Sequence, residues 1–412
     1  MVQAEVRVQA RSSTLWGYNP LDGWYLGLGA TLQDLGVKNN AFDLMTKYGF
    51  SSQKTRYLLR YTHHVGNWCL SAQHWQMVTF AGVYAEGTES GLPSYPLWEL
   101  ETGASAWARY RWGEHHLVEL SLSTVDFAPA VYGGSLPFVA GRSDGATLKW
   151  VASYPGFYSA LSWHRDFPGG GDYDYQRSLG RVIKVFPEGH NRFFTLYASA
   201  GAISGRYPLQ QAFFLGDSRL NLDEHFWDKL AGAVNNLGLG KEVPLVGDYL
   251  RGYPDGFLRG DRMYLLTVEQ STQLWPPAGR FHPFPVAAEV LSFLDLGNAW
   301  YEGQGSGEPK VAAGLGFRLH LNPKQTFPPL PQGEEAPGFP PETKQQPIIT
   351  IQADRPAEPP VEPLPPDEAE QPDPLAAELP NLGFLLSADL ARGLSPGGVW
   401  RLGLSLGIST RF

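Results

Sequence analysis

The chain has 412 residues, 43% hydrophobic and 13% aromatic, with 13 Trp, 19 Tyr, 47 Gly and a formal charge of −9. No apolar run approaches the length of a membrane-spanning helix, which excludes that mode of insertion but not a transmembrane barrel, whose strands need an apolar residue only at alternate positions. No basic patch points to nucleic acid, and the single cysteine, Cys69, excludes an internal disulfide and reads as an inert buried thiol.

The N-terminal Met1-Val2-Gln3-Ala4-Glu5 has neither the basic region nor the apolar region of a secretion signal. For a barrel, that is the expectation for a mature or excised form. From here the chain alternates with period two, the mark of strands whose two faces meet different surroundings. Ala4, Val6, Val8 and Ala10 share one face of a first strand near 2–15, with Glu5, Arg7, Gln9 and Arg11 on the other. Further strands are predicted near 22–34, 42–52, 54–65, 67–80, 99–113, 115–128, 145–154, 156–166, 175–187 and 190–203. His63-His64 and His115-His116 lie on or beside these strands. Neighbours on a strand point to opposite faces, so neither pair can chelate one ion by itself, and no metal and no cofactor is expected. Gly169-Gly170-Gly171 precedes Asp172, Tyr173 and Asp174 rather than a helix, which argues against a phosphate loop. No Gly-x-Ser-x-Gly elbow is evident, and an enzyme is not expected.

Connections alternate in length. Those at Val65-Gly66-Asn67, Gly113-Glu114-His115, Tyr154-Pro155-Gly156 and Pro187-Glu188-Gly189 are short, whereas Val83 to Trp98, Pro129 to Gly145 and Gly205 to Arg259 are long. Outer-membrane barrels have this asymmetry, with short periplasmic turns and long extracellular loops. Within the longest loop, Asn221 to Asn236 carries Leu222, Phe226 and Leu230 at helical spacing, and a short packed helix is expected there.

Strands resume near 259–272, 285–301 and 310–322. On the first, Glu269 falls opposite Tyr264, Leu266 and Val268. On the second, Asp295 shares its face with Phe293, so that strand is less cleanly two-sided. On the third, Leu315, Phe317, Leu319 and Leu321 oppose Gly314, Gly316, Arg318 and His320. Then comes a change of composition. Pro323 to Pro380 holds half of the 34 prolines, and its eleven acids against three bases carry −8 of the chain's −9. Such a stretch cannot sustain helix or ladder hydrogen bonds and is expected to be an extended or disordered insertion, interrupted by one β-prone island at Ile348-Ile349-Thr350-Ile351. On the count of connections it falls on the short-turn, periplasmic side. Two last strands follow, near 381–392 and 399–412. In the final one Trp400, Leu402, Leu404, Leu406, Ile408 and Phe412 share a face.

The predicted fold is therefore all-β: a transmembrane antiparallel β-barrel of about sixteen strands. Its organisation is expected as barrel strands over 1–322, including a lumen loop at 205–258, the Pro-rich insertion at 323–380, and the last two strands over 381–412.

Several segments make the reading more specific. Gly247-Asp248-Tyr249-Leu250-Arg251-Gly252-Tyr253, Phe293-Leu294-Asp295-Leu296-Gly297-Asn298, Ala313-Gly314-Leu315-Gly316-Phe317-Arg318 and the terminal Phe412 together resemble the C-terminal barrel of the bacterial surface-antigen superfamily. Barrel-assembly proteins and two-partner secretion transporters belong to that superfamily. A weaker likeness extends over Tyr18-Asn19-Pro20-Leu21-Asp22-Gly23. The resemblance implies that the tip Leu250, Arg251, Gly252 and Tyr253 lies on the sixth extracellular loop and folds back into the lumen. There Arg251 would meet Glu269 and Asp295, since a lumenal arginine needs a carboxylate partner. It also implies that Trp400, Leu402, Leu404, Leu406, Ile408 and Phe412 form the signal read by the barrel-assembly machinery.

The function implied is translocation or membrane insertion of polypeptides from the outer membrane. Expected partners are outer-membrane lipid and lipopolysaccharide, the assembly machinery, an unfolded polypeptide substrate and a periplasmic partner of the Pro-rich segment, but no nucleic acid. The sequence departs from the family in the Pro-rich insertion and in having no polypeptide-transport-associated domain ahead of the barrel. That leaves a barrel-only member or the C-terminal part of something longer. Two alternatives stand beside it: a structural or adhesive plugged barrel without transport, and a soluble all-β enzyme or propeller, the latter disfavoured because no fixed-period repeat is found.

Overall fold

A computed structural model describes residues 9–19, 21–34, 39–85, 94–131, 140–188, 191–216, 220–221, 249–254, 256–274, 280–281, 284–321 and 383–409. Sixteen strands wind up and down through it. They are β1 (Gln9–Asn19), β2 (Gly23–Gln33), β3 (Asn40–Gly49), β4 (Lys54–Val65), β5 (Trp68–Ala85), β6 (Ser94–Trp112), β7 (His116–Val131) and β8 (Gly141–Tyr154). The second half comprises β9 (Phe157–Asp166), β10 (Asp174–Pro187), β11 (Arg192–Arg206), β12 (Arg262–Gln273), β13 (Phe284–Trp300), β14 (Lys310–Leu321), β15 (Gly383–Gly393) and β16 (Trp400–Ser409). Each pairs antiparallel with the next in sequence.

The burial pattern is that of a soluble protein turned inside out. On β2, Trp24, Leu26 and Leu28 are 61%, 54% and 62% exposed, while Tyr25 between them is buried. Leu120 and Leu122 on β7, Leu161 and Trp163 on β9, and Leu315 and Phe317 on β14 are likewise outward. The opposite face buries charge: Lys47, Arg56, Glu99, Asp166, Glu269, Asp295, Arg318 and Asp389. A sandwich in water would place its leucines within and its carboxylates outside. Here hydrocarbon is the surroundings that the outer face fits, and the inner face encloses a polar lumen. Ion pairs line that interior, among them Arg56–Asp22 at 3.1 Å, Arg60–Asp43 at 2.8 Å and Arg109–Glu119 at 2.8 Å.

At the short-turn end, aromatic side chains collect where a membrane interface would lie. The rings of Trp68 and Tyr110 are 4.7 Å apart, and His115 stacks on Tyr154 at 4.4 Å. The histidine pairs belong to this rim: His116 meets the Tyr154 hydroxyl at 2.7 Å, and His64 Nε2 lies 3.7 Å from Cys69 Sγ.

Three features differ from what the sequence leads one to expect. The first strand is described over Gln9–Asn19 and runs on to the β1–β2 turn, because Asn19 and Asp22 there form a buried polar knot with Arg56; residues 2–8 lie outside the described residues. β5, β6 and β7 have 18, 19 and 16 residues and stand well beyond the expected strand ends, more than a tilted membrane crossing needs. Finally, the sheet does not close strand to strand. Among the described residues β1 and β16 make no ladder, and the free edge of β16 meets Leu220–Asn221 instead, opposite Leu404 and Gly403. Asn221 is thus extended, and the rest of the expected helix to Asn236 lies outside the described residues, as do 322–382 with the Pro-rich insertion and its island, and Phe412.

Candidate functional site in the barrel lumen

The connection from β11 to β12 leaves the wall as a narrow stalk. Phe213–Leu215 pairs antiparallel with Leu258–Gly260. Side chains of this stalk and of the returning segment form one buried cluster with the wall: Phe213, Leu215, Leu250, Tyr253, Phe257 and Leu258 pack with Tyr197, Ile203, Leu265, Ala299 and Ala312. The loop is therefore fastened to the inner faces of β11 to β14 by apolar contact before any charge is considered.

Its tip, Leu250-Arg251-Gly252-Tyr253, is fully enclosed, with Arg251 only 1% exposed. The Arg251 side chain donates Nε to Asp295 Oδ2 at 2.7 Å and Nη2 to Asp295 Oδ1 at 2.6 Å, a fork-on-fork contact. Its backbone N–H donates to the same carboxylate at 3.2 Å, and Nη1 donates to Glu269 Oε1 at 2.7 Å. The face of Phe293 lies beneath the guanidinium, 3.3 Å from ring centroid to Cζ. Phe293 thus shares the lumenal face with Asp295 because the cation needs a floor as well as a partner. On β12 the alternation places Met263, Leu265, Thr267, Glu269, Ser271 and Gln273 inward.

The rest of the tip explains its residue types. Gly252 has φ of +77°, and a Cβ there would fall 2.7 Å from the Arg392 carbonyl carbon, so a side chain is excluded twice over. The Gly252 carbonyl accepts the Val399 N–H at 3.0 Å. Tyr253 Oη donates to the Val311 carbonyl at 2.9 Å and accepts the Ser395 N–H at 3.1 Å. One tripeptide thereby ties β13, β14 and the β15–β16 connection together.

Two further residues belong to the same cluster, Arg318, which the sequence places on the polar face of its strand, and Asp389. Arg318 on β14 donates Nη2 to both oxygens of Glu269, at 2.9 and 2.8 Å. Asp389 on β15 is buried, with Oδ2 3.8 Å from Arg251 Nη1. Room for it comes from Gly316, where a Cβ would stand 2.8 Å from the Asp389 carboxyl carbon. Parity alone would have put Arg318 in the lumen. That it reaches Glu269, two strands away, depends on the curvature of the wall.

At the C-terminus, Trp400 and Leu402 are 60% and 46% exposed on the outer face. Leu404, Leu406 and Ile408 continue β16 in register with β15.

No protein-family model matches the sequence, and no curated protein matches it. Among solved structures the chain is similar to BamA from Haemophilus ducreyi lacking POTRA domains 1-3, with 12% identity and a TM-score of 0.57 over 98% of this chain and 70% of that one. It is also similar to CdiB from Acinetobacter baumannii, with 13% identity and a TM-score of 0.45 over 98% of this chain and 60% of that one. The likeness to BamA identifies the fold alone: an outer-membrane β-barrel.

Proposed function

We propose that this barrel sits in a bacterial outer membrane and moves or inserts polypeptides, with the β11–β12 loop as a lumenal plug latched through Arg251. The observation that carries the reading is the latch itself. A loop is brought into the interior and its one tip arginine is met by carboxylates on β12 and β13. Leu250, Gly252 and Tyr253 are then the residues that seat the tip, and Glu269 and Asp295 the residues that receive it. Removing one partner of such a buried pair costs about 3–5 kcal/mol, because an uncompensated charge is left behind.

The long-loop end would face outward and the short-turn end the periplasm, where the acidic Pro-rich segment between β14 and β15 would hang and meet a periplasmic partner. The outward leucines and rim aromatics would meet lipid and lipopolysaccharide. The final strand, from Trp400 through Leu402, Leu404, Leu406 and Ile408 to Phe412, would be read by the assembly machinery. BamA likeness supports the barrel half of this proposal; the cargo, an unfolded polypeptide, rests on the resemblance of the motifs.

A second reading is a structural or adhesive barrel that stays plugged, favoured by the apolar packing of the loop beyond the latch. Planar-bilayer conductance separates the two. The plug reading expects low conductance that rises in Arg251→Ala. Conductance that stays negligible in that variant would favour the structural barrel.

A further inference from the structure

The lumenal wall at the latch carries more negative charge than the loop arginine can balance. Glu269 on β12, Glu289 and Asp295 on β13, and Asp389 on β15 are all buried and all on the inner face. Glu269 and Asp295 are held by Arg251, which belongs to the loop, and Glu269 also by Arg318, which belongs to the wall. Arg318 holds Glu269 through both of its oxygens, and its register partner across β13–β14 is Glu289. Arg251 shares Glu269 Oε1 with Arg318 but takes both oxygens of Asp295.

The two carboxylates therefore differ in what happens when the loop leaves. Glu269 keeps its bidentate guanidinium. Asp295 loses its own. Meanwhile Arg251 and Arg318, both cations, converge on one oxygen while the loop is seated, and like charges that close oppose one another. The hold of Arg318 on Glu269 and its repulsion of Arg251 act in the same direction: they make the empty site less costly and the filled site less tight.

We propose that Arg318 is a resident counter-charge that sets how readily the loop tip is released, so that Asp295, and not Glu269, is the carboxylate whose counter-charge comes from the loop. This rests on the reading of the loop as a lumenal plug. It assigns Arg318 a positioning role with an unusual sign. A residue that merely supported the wall would loosen the loop when removed. Loss of Arg318 instead leaves Glu269 without the wall guanidinium that holds it, and the tip arginine is held harder.

The test is chymotryptic nicking of the folded, detergent-solubilised full chain after Phe257, which is 2% exposed while the loop is seated. Arg251→Ala should be nicked faster than wild type, Arg318→Met slower by at least about fivefold, the low end of typical coupling between sites, and Arg318→Lys at close to the wild-type rate because the ammonium keeps the charge. Nicking of folded Arg318→Met at or above the wild-type rate would overturn the inference and leave the plug reading standing. An unchanged rate in Arg251→Ala would sink the plug reading and this inference with it. Should Arg318→Met fail to fold, the native background still decides: Asp295→Asn must release the loop much faster than Glu269→Gln, and equal effects would overturn the inference.

Discussion

At the scale of single residues, the latch is a problem of fitting a cation into a place without water. Arg251 is stabilised by direction as much as by charge, since the Asp295 fork, the Glu269 oxygen and the Phe293 face leave it one orientation. Gly252 is what lets the chain turn there. Its positive φ costs any other residue about 1–3 kcal/mol, and the contact with the Arg392 backbone adds a steric penalty that no rotamer relieves. Gly252→Ala should therefore unseat the tip although it touches no charge, raising bilayer conductance toward that of Arg251→Ala. Conductance held at the wild-type level would mean that the tip is not seated through this turn.

Much of this was legible beforehand, for a definite reason. The resemblance of the motifs names Glu269 and Asp295 as partners of Arg251; alternation agrees for Glu269, whereas Asp295 shares its face with Phe293 and is less cleanly placed by pattern alone. Arg318 and Asp389 could be placed on the inner face but not at the latch. Their contacts cross from strand to non-adjacent strand through the interior, and nothing in a linear pattern encodes how tightly a sheet curls.

At the scale of elements, β14 and β15 are the informative pair. They are separated by the whole Pro-rich insertion and still form a continuous antiparallel ladder from Ala312–Gly393 to Leu321–Phe384. The ladder ends beside the place where the chain departs, so a short turn could join the strands as well as the insertion does. Loop-closure entropy rises only slowly with length, by about 0.6 kcal/mol for each doubling. Replacing 324–379 by a four-residue turn should leave the heat-modifiable gel mobility of a folded barrel intact. Loss of the fast-migrating band would show that the insertion takes part in the fold. Alternation revealed these two strands, whereas the extra length of β5 to β7 was hidden. Beyond the membrane both faces of a strand meet similar surroundings, so the period-two signal fades over Val83 to Trp98 and the sequence there reads as loop.

For the whole molecule, the inner and outer faces obey opposite rules, and everything said of the latch depends on that inversion. Exposed leucine and tryptophan on one face would be a liability in water, and buried arginine and aspartate on the other would be unaffordable without their pairs. β7 offers a direct test, because Leu120 and Leu122 point outward while Glu119 and Ser121 point in, where Glu119 pairs with Arg109. Spin labels can be placed singly at positions 119 to 122, in a chain with Cys69→Ser, and the protein reconstituted into lipid bilayers. Labels at 120 and 122 should relax with dissolved oxygen and those at 119 and 121 with a water-soluble nickel chelate, alternating residue by residue. Four labels that all favour the nickel chelate would contradict the inversion, and with it the enclosed lumen.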